Sequence, residues 1–217
     1  MQGVEAAARR ELWTVLEVTP DLVSGTVLAW GLRPPGHDLW SEMMRQRAHL
    51  GTVTHLTLQE LRGPAAGVQL AEPGSLMSVC ENPQVLQAAA RAGAPSPLLC
   101  TSGNPASVGW QIVRELLGSS VRLRYHGDFD WPGVTIAGRL YANGVVPWRM
   151  QADDYFSAVA MLPADSRLGL EGVPVATPWD PRLAAAMHEQ QVAVQESLLE
   201  VLLPDLTQTL RLSPIDR

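Results

Sequence analysis

The chain has 217 residues, 46% of them apolar and 18% charged, and its 22 acidic and 16 basic side chains give a net charge of −6. This composition excludes long intrinsic disorder and fits a globular protein with one main domain and an appendage. All 16 basic residues are arginine, and the lack of lysine excludes a Walker A phosphate loop and a Schiff-base mechanism. The acidic balance argues against a free-standing, non-specific DNA binder, which normally carries a basic surface.

The sequence shows no sign of export or of a membrane span. The first ten residues lack an apolar core segment, and no stretch reaches the roughly 18 uninterrupted apolar residues that a transmembrane helix needs. We therefore expect a cytoplasmic protein without a membrane partner. Cys80 and Cys100 are not spaced as a metal-binding pair, and a reducing compartment rarely keeps disulfides, so we predict two buried free thiols.

The first seventy residues are predicted to form a smaller α/β appendage. An alanine-rich helix is expected over residues 5–17, a buried strand over 23–32 and a second helix over 38–50. These segments show helical or strand-like apolar patterns but no repeating order. The appendage is therefore assigned to residues 1–70 and the main domain to residues 71–212.

A repeating order of elements begins near residue 76. Three times, an apolar strand-like run is followed by a polar loop, a proline, a helical segment and a glycine. The predicted strands cover 76–80, 97–100 and 121–125, with a fourth at 145–148. Proline suits the first turn of a helix and glycine its left-handed end. Because strands joined through helices lie parallel, we predict an α/β fold with a mostly parallel sheet flanked by helices.

Two further helices are expected after this sheet. One covers 153–161, and a long final helix starts at Asp180-Pro181 and is stopped by Pro204. The final helix has one apolar stripe, which we interpret as core packing. The stripe consists of Leu183, Met187, Val194, Leu198 and Val201.

Acidic side chains follow two of the predicted strands. Glu81 ends the first strand, and Asp128 and Asp130 follow the third. Parallel strands bring such loops to one edge of the sheet, where open α/β sheets bind ligands. Two carboxylates at i and i+2 of an extended loop lie on one side and repel unless a cation compensates them. A lone Asp-x-Asp is common in surface turns, but the added Glu81 favours a Mg²⁺ or Mn²⁺ site formed by all three acids.

Other polar residues near this edge are weaker candidates. The backbone N–H groups of Ser102 and Gly103 are placed at the start of the second helix, where they either bind a phosphate or form a simple turn. Arg122, Arg124, Arg139 and Arg149 either bind phosphates in bidentate fashion or pair with surface acids. His126 beside the acidic loop and the neighbouring Trp131 are interpreted as structural rather than as a proton relay and a base-stacking residue.

Four short sequence motifs resemble those of a known nuclease family. They are Cys-Glu-Asn-Pro at 80–83, Leu-Cys-Thr-Ser-Gly at 99–103, Gly-Asp-Phe-Asp-Trp-Pro-Gly at 127–133 and Pro-Trp-Arg-Met at 147–150. Together with the spacing of the three acids, they resemble the Toprim (topoisomerase–primase) domain, and in particular the JetD nuclease subunits of Wadjet plasmid-defence systems, type II branch. The resemblance covers roughly residues 50–212.

The resemblance implies a Toprim-like catalytic domain in a Mg²⁺-dependent DNA endonuclease related to the catalytic subunit of topoisomerase VI. It implies Glu81, Asp128 and Asp130 as catalytic metal ligands, with DNA and an SMC-kleisin-type motor complex as partners in defence against circular plasmids. Residues 1–70 would then be the end of a longer partner- or DNA-contacting region, and a homodimer stays open. An acid near the C-terminus joins the metal site in this group, and Glu196 is the nearest candidate, although a solvated helix face explains it as well.

Other functions were weighed against the nuclease. A non-catalytic assembly or DNA-positioning module with a degenerate Toprim fold is the main alternative. A sugar-nucleotide transferase with a manganese-binding Asp-x-Asp does not explain Glu81, and a phosphatase of the Asp-x-Asp-x-Thr type is excluded because Pro132 occupies the threonine position. Tyr125, Tyr141 and Tyr155 lie within or beside the predicted core, so water is the expected nucleophile.

Overall fold

The computed structural model describes residues 21–195 and 199–207. The helix expected at 5–17 lies outside this range. Within it, the eight strands are β1 (Thr26–Trp30), β2 (Thr54–Thr57), β3 (Leu76–Cys80), β4 (Leu98–Cys100), β5 (Arg122–His126), β6 (Val146–Pro147), β7 (Leu168–Gly169) and β8 (Val192–Ala193). The α-helices are α1 (Leu39–His49), α2 (Leu58–Arg62), α3 (Pro83–Arg91), α4 (Ser107–Gly118), α5 (Trp131–Tyr141), α6 (Ala152–Met161), α7 (Pro181–Gln190) and α8 (Leu199–Thr207).

Six strands form one sheet in the order β2-β1-β4-β3-β5-β6, and β7 and β8 form a separate pair. The neighbours β4, β3, β5 and β6 run parallel, while β1 is antiparallel to both β2 and β4. The predicted mostly parallel α/β sheet flanked by helices is therefore confirmed. Strands β1 and β2 come from the predicted appendage and extend this same sheet, and the domain boundary at residue 70 stays a prediction.

Helices cover both faces of the sheet. Alternate residues of β3 enter different apolar clusters: Val79 packs with residues of α4 and α5, whereas Cys80 packs with residues of α3 and α8. All but the first residue of β3 are buried, as expected for a parallel strand with helices on both sides. Cys80 and Cys100 are both buried and form no disulfide, as predicted. No helix in the described ranges is long and apolar enough to span a membrane.

Two of the three helices that follow β3, β4 and β5 have a proline in the first turn, as predicted. The side chain of Asn82 accepts a hydrogen bond from the Gln84 amide and Pro83 opens α3, and Asp130 caps α5 in the same manner. The second helix differs, because α4 begins only at Ser107 and its cap, Ala106, makes no side-chain bond. Asn104 and Pro105 lie in the preceding loop, so the prediction from the repeating pattern that this helix starts at its proline was wrong.

The predicted long final helix was also wrong. Helix α7 ends before Gln191, which adopts a left-handed conformation with φ of 54° and donates its amide to the Met187 carbonyl. The next two residues pair with β7 instead of continuing the helix, and α8 then contains Pro204 within its length. The apolar stripe is consequently divided, with Val194 beyond α7 and Val201 in α8, while Leu198 lies outside the described residues.

Candidate functional site

The acidic residues lie at the point in the sheet where the order of the strands along the chain reverses. From β3 the chain passes through α3 to β4 on one side, and from β4 it returns through α4 to β5 on the other side. Loops that leave neighbouring strands in opposite directions create a crevice at their carboxyl ends, the usual ligand position in open α/β sheets. Glu81 follows β3, and Asp128 and Asp130 follow β5. The structure therefore places all three acids on the same edge, as the sequence predicted.

The carboxylate of Glu81 is held against the adjacent strand. Cys80 is paired with His126 in the parallel register, so Glu81 lies opposite Gly127. The Tyr125 hydroxyl donates a hydrogen bond to Glu81 Oε2 at 3.2 Å, and the backbone N–H of Asp128 also donates to this carboxylate. Two donors, one in β5 and one in the loop that follows it, thus orient the Glu81 carboxylate.

Burial raises the pKa of Glu81 above its ordinary value, and the nearby negative charge of Asp128 is the next cause. The hydrogen bonds from Tyr125 and from the Asp128 amide act in the opposite direction, and the charge of Asp130 adds a smaller upward contribution. A raised carboxyl pKa means that the ionised form is disfavoured where it stands. A bound cation would offset this cost.

The loop that carries Asp128 and Asp130 is fixed from both ends. Phe129 between them is buried, and its backbone pairs with Val194 through N–H to O bonds of 2.8 and 3.2 Å. Asp130 Oδ1 accepts the Gly133 amide at 2.6 Å. Gly133 is required there, because a Cβ atom would lie 2.3 Å from the Asp128 carbonyl oxygen.

The residues fit a hard divalent cation in chemical type but do not form a closed cluster. Within residues 21–195 and 199–207, no three His, Cys, Asp or Glu side chains stand together as a metal-binding group. Asp130 uses one oxygen to cap α5, although a carboxylate has a second oxygen and further lone pairs. Carboxylate oxygens supplemented by water and substrate phosphate are the ligands that Mg²⁺ prefers. The metal assignment stays a prediction, and Glu196 lies outside the described residues.

The loop after β4 forms hydrogen bonds with the backbone at Glu81 and does not form the start of a helix. The Gly103 amide donates to the Glu81 carbonyl at 3.3 Å, and the Thr101 amide donates to Cys80 at 3.0 Å. Ser102 is exposed and, like Gly103, has a positive φ. Because α4 begins at Ser107, Ser102 and Gly103 do not stand at a helix N-terminus. The Gly103 N–H is used within the protein, so the basis for predicting a phosphate cradle here is lost.

The candidate arginines are widely separated. Arg122 begins β5 and donates to the Gly74 carbonyl, so it lies at the opposite edge of the sheet, roughly 20 Å of extended chain before Asp128. Arg124 packs over the Trp148 ring at 4.1 Å and donates to Ser78 Oγ. Its side chain therefore packs on the face of the sheet. Arg139 is exposed on α5. It lines an open groove of about 550 Å³ that begins beside the acidic loop, with Asn104, Trp131 and Pro132 among the other lining residues.

His126 is structural, as predicted. Its Nδ1 lies 2.8 Å from the Trp148 carbonyl, and because a carbonyl only accepts, Nδ1 carries the hydrogen. Among the described residues Nε2 has no hydrogen-bond partner. His126 is one of the residues that line a cavity of about 190 Å³, with Arg149, Asp154 and Phe129. Burial lowers the pKa of His126 to about 4. The side chain is therefore neutral at physiological pH.

Sequence reasoning missed two groups of residues. Tyr125 was assigned only to the core, yet its hydroxyl reaches Glu81. Asp205 accepts bonds from Arg149 at 2.8 and 2.9 Å and from Trp148 Nε1 at 2.7 Å, which lowers the pKa of Asp205, with Arg149 as the main cause. These contacts fix α8 to the end of β6, and the separation of more than fifty residues left no signal in the sequence.

A comparison with curated proteins found no match. A comparison with protein families gave a match over residues 54–206 to the family described as "Protein of unknown function C-terminus (DUF2399)". The match runs from β2 to α8 and includes Glu81, Asp128 and Asp130. Since it spans well over half of the sequence, the chain belongs to this family.

Proposed function

We propose that the chain is a divalent-metal-dependent DNA endonuclease subunit that cleaves foreign circular DNA, such as plasmids, in a prokaryotic SMC-type defence complex. The observation that carries the proposal is the position of Glu81 and Asp128 at the carboxyl ends of the adjacent parallel strands β3 and β5. Burial and, after it, the negative charge of Asp128 raise the pKa of Glu81, which is the electrostatic situation that a bound cation relieves. The more specific proposal of a plasmid-defence nuclease is based on the four sequence motifs that resemble JetD.

In this proposal Glu81 and Asp128 hold Mg²⁺ or Mn²⁺, with the second oxygen of Asp130 as a further ligand. When bound there, such an ion would stabilise negative charge at the scissile phosphate and would make a water molecule more acidic. Tyr125 and the Asp128 amide keep the Glu81 carboxylate oriented. Arg139, in the groove that begins beside the loop, offers a guanidinium to a neighbouring phosphate.

Water is the nucleophile in this proposal because the described tyrosines are unsuitable. Tyr125 and Tyr155 are almost fully buried, and the Tyr155 hydroxyl donates to the Val192 carbonyl at 2.7 Å. Tyr141 is 41% exposed, but it ends α5, about 15 Å along the helix from the acidic loop. Phosphodiester hydrolysis therefore fits the arrangement better than attack by a tyrosine of this chain.

One observation favours a second candidate, the non-catalytic assembly or DNA-positioning module. Asp130 already has a structural role as the cap of α5, and the described residues contain no three-residue metal-binding group. In that case the acids shape the loop and bind no ion, and the chain acts only by docking to partners or DNA. The two candidates differ in whether a divalent ion binds.

The test is a plasmid-nicking assay with Mg²⁺ or Mn²⁺, run with and without the SMC-kleisin subunits. Glu81→Gln and Asp128→Asn should each abolish metal-dependent cleavage, because each removes a charged ligand at nearly constant volume. Glu189→Gln is the matched control, since Glu189 is exposed at the end of α7, and it should cleave as the wild type does. Full cleavage by the Glu81 or Asp128 variant would refute the assignment, and partner binding without metal binding would favour the assembly module.

A further inference from the structure

We propose that Tyr125 is a positioning residue for the metal ligand Glu81, an inference that rests on the proposed nuclease function. The Tyr125 hydroxyl holds one carboxylate oxygen, Oε2, and would thereby leave the other oxygen available to an ion that Glu81 and Asp128 would hold. The residue touches neither substrate nor ion. It acts through the carboxylate that does.

The strand register explains how a core residue reaches the site. Val79 and Tyr125 are paired across β3 and β5, so their side chains lie on the same face of the sheet. Glu81 lies two residues after Val79 and is thus on that face as well, diagonally across from Tyr125. A tyrosine is long enough to span such a diagonal pair. The result is the 3.2 Å contact between the hydroxyl and Oε2.

Gly127 leaves the space in which this contact forms. A Cβ atom at this position would lie 2.5 Å from the Tyr125 hydroxyl oxygen and 2.8 Å from Glu81 Oε2. Gly127 is not one of the described glycines with a positive φ. Glycine is therefore required here because a side chain would not fit, and not because of the backbone conformation. The absence of a Cβ here is therefore specific to the Tyr125–Glu81 contact.

Burial makes the contact rigid. Tyr125 is 1% exposed, and its ring lies in the main apolar cluster. The hydroxyl is consequently fixed by packing and cannot follow Glu81 if the carboxylate turns. A hydrogen-bonding group of this kind behind a metal ligand typically changes metal affinity or activity 10- to 100-fold when it is removed.

The experiment compares Mn²⁺ binding by the full chain carrying Tyr125→Phe with binding by the wild type, using calorimetric titration. We expect affinity to fall about 10- to 100-fold. In the nicking assay, kcat at limiting Mn²⁺ should fall while KM for DNA is unchanged, and excess Mn²⁺ should restore cleavage. A purely structural role would not produce recovery with metal. Gly127→Ala disturbs the same contact from the opposite side and should also weaken Mn²⁺ binding.

Tyr155→Phe is the matched control, because Tyr155 is equally buried and its hydroxyl bonds only a backbone carbonyl among the contacts described. It should lose stability without losing Mn²⁺ affinity. Wild-type affinity in both Tyr125→Phe and Gly127→Ala, with the wild type binding Mn²⁺, would overturn the role of Tyr125 and leave the proposed function intact. A wild-type chain that binds no Mn²⁺ would overturn the proposed function and the inference with it.

Discussion

Acid should destabilise the fold through His126. This side chain is 2% exposed, and burial lowers its pKa from 6.5 to about 4. In the unfolded chain it titrates near 6.5, so between these values the unfolded state binds a proton that the folded state does not. The stabilisation is therefore complete above pH 6.5 and is lost as the pH falls toward 4. The gap between the two pKa values corresponds to roughly 3 kcal/mol, at about 1.4 kcal/mol for each pKa unit.

The measurement is urea unfolding between pH 4 and 7 for the wild type and for His126→Asn. The asparagine amide keeps a donor for the Trp148 carbonyl but does not titrate in this range. The free energy of unfolding of the wild type relative to the variant should rise by about 3 kcal/mol from pH 4 to 6.5. Parallel curves for the wild type and His126→Asn would refute the reasoning.

Three shorter predictions concern the neighbouring residues. Without metal, Glu81→Gln should raise the melting temperature at pH 7, because the raised pKa of Glu81 means that its ionised form destabilises the fold. This gain in melting temperature should fade as the pH falls toward 4.5. Added Mn²⁺ should stabilise only the wild type. Gly127→Ala should cost about 1–3 kcal/mol in urea melts through overpacking, whereas Gly118→Ala, with no atom within 4 Å of the added Cβ, should cost nothing. Asp205→Asn should cost about 1–2 kcal/mol in the same assay, because Arg149 is 43% exposed and water compensates part of the lost ion pair.

The sheet and its acidic edge were predictable because local signals and topology agree there. Apolar runs, helix caps and prolines defined β3, α3, β5 and α5, and parallel strands necessarily bring their following loops together. The placement of Arg122 followed from the same reasoning and was overlooked. A residue that begins a strand cannot lie at the edge where the acidic loop leaves it.

The remaining features depend on contacts between distant segments. The apolar spacing from Leu183 to Val201 continues through Gln191, but pairing of β8 with β7 ends the helix at that point. The Tyr125–Glu81 contact required knowing that β5 lies next to β3 and not next to β4. Neither pairing leaves a periodic signal in the sequence.

The distribution of positive charge leads to the last prediction, that the isolated chain binds DNA weakly and cleaves it poorly. The net charge is −6 and lysine is absent. Among the described arginines near the acidic edge, Arg124 and Arg149 are hydrogen-bonded to Asp205, whereas Arg139 is exposed on α5. Few phosphate contacts mean weak non-specific affinity at physiological salt. Efficient cleavage should therefore need a partner that delivers or bends the DNA.

Binding and cleavage of linear and circular DNA by the isolated chain across a salt series test this prediction. Each phosphate that the protein neutralises adds about 0.9 to the slope of log affinity against log salt concentration, so a site with few described arginines beside its acidic loop should give a shallow slope and a low affinity. Addition of the SMC-kleisin subunits should raise cleavage of circular DNA much more than cleavage of linear DNA, because a motor that recognises closed circles would supply the missing affinity. Tight, salt-resistant binding with rapid cutting of linear DNA by the chain alone would show an autonomous nuclease instead.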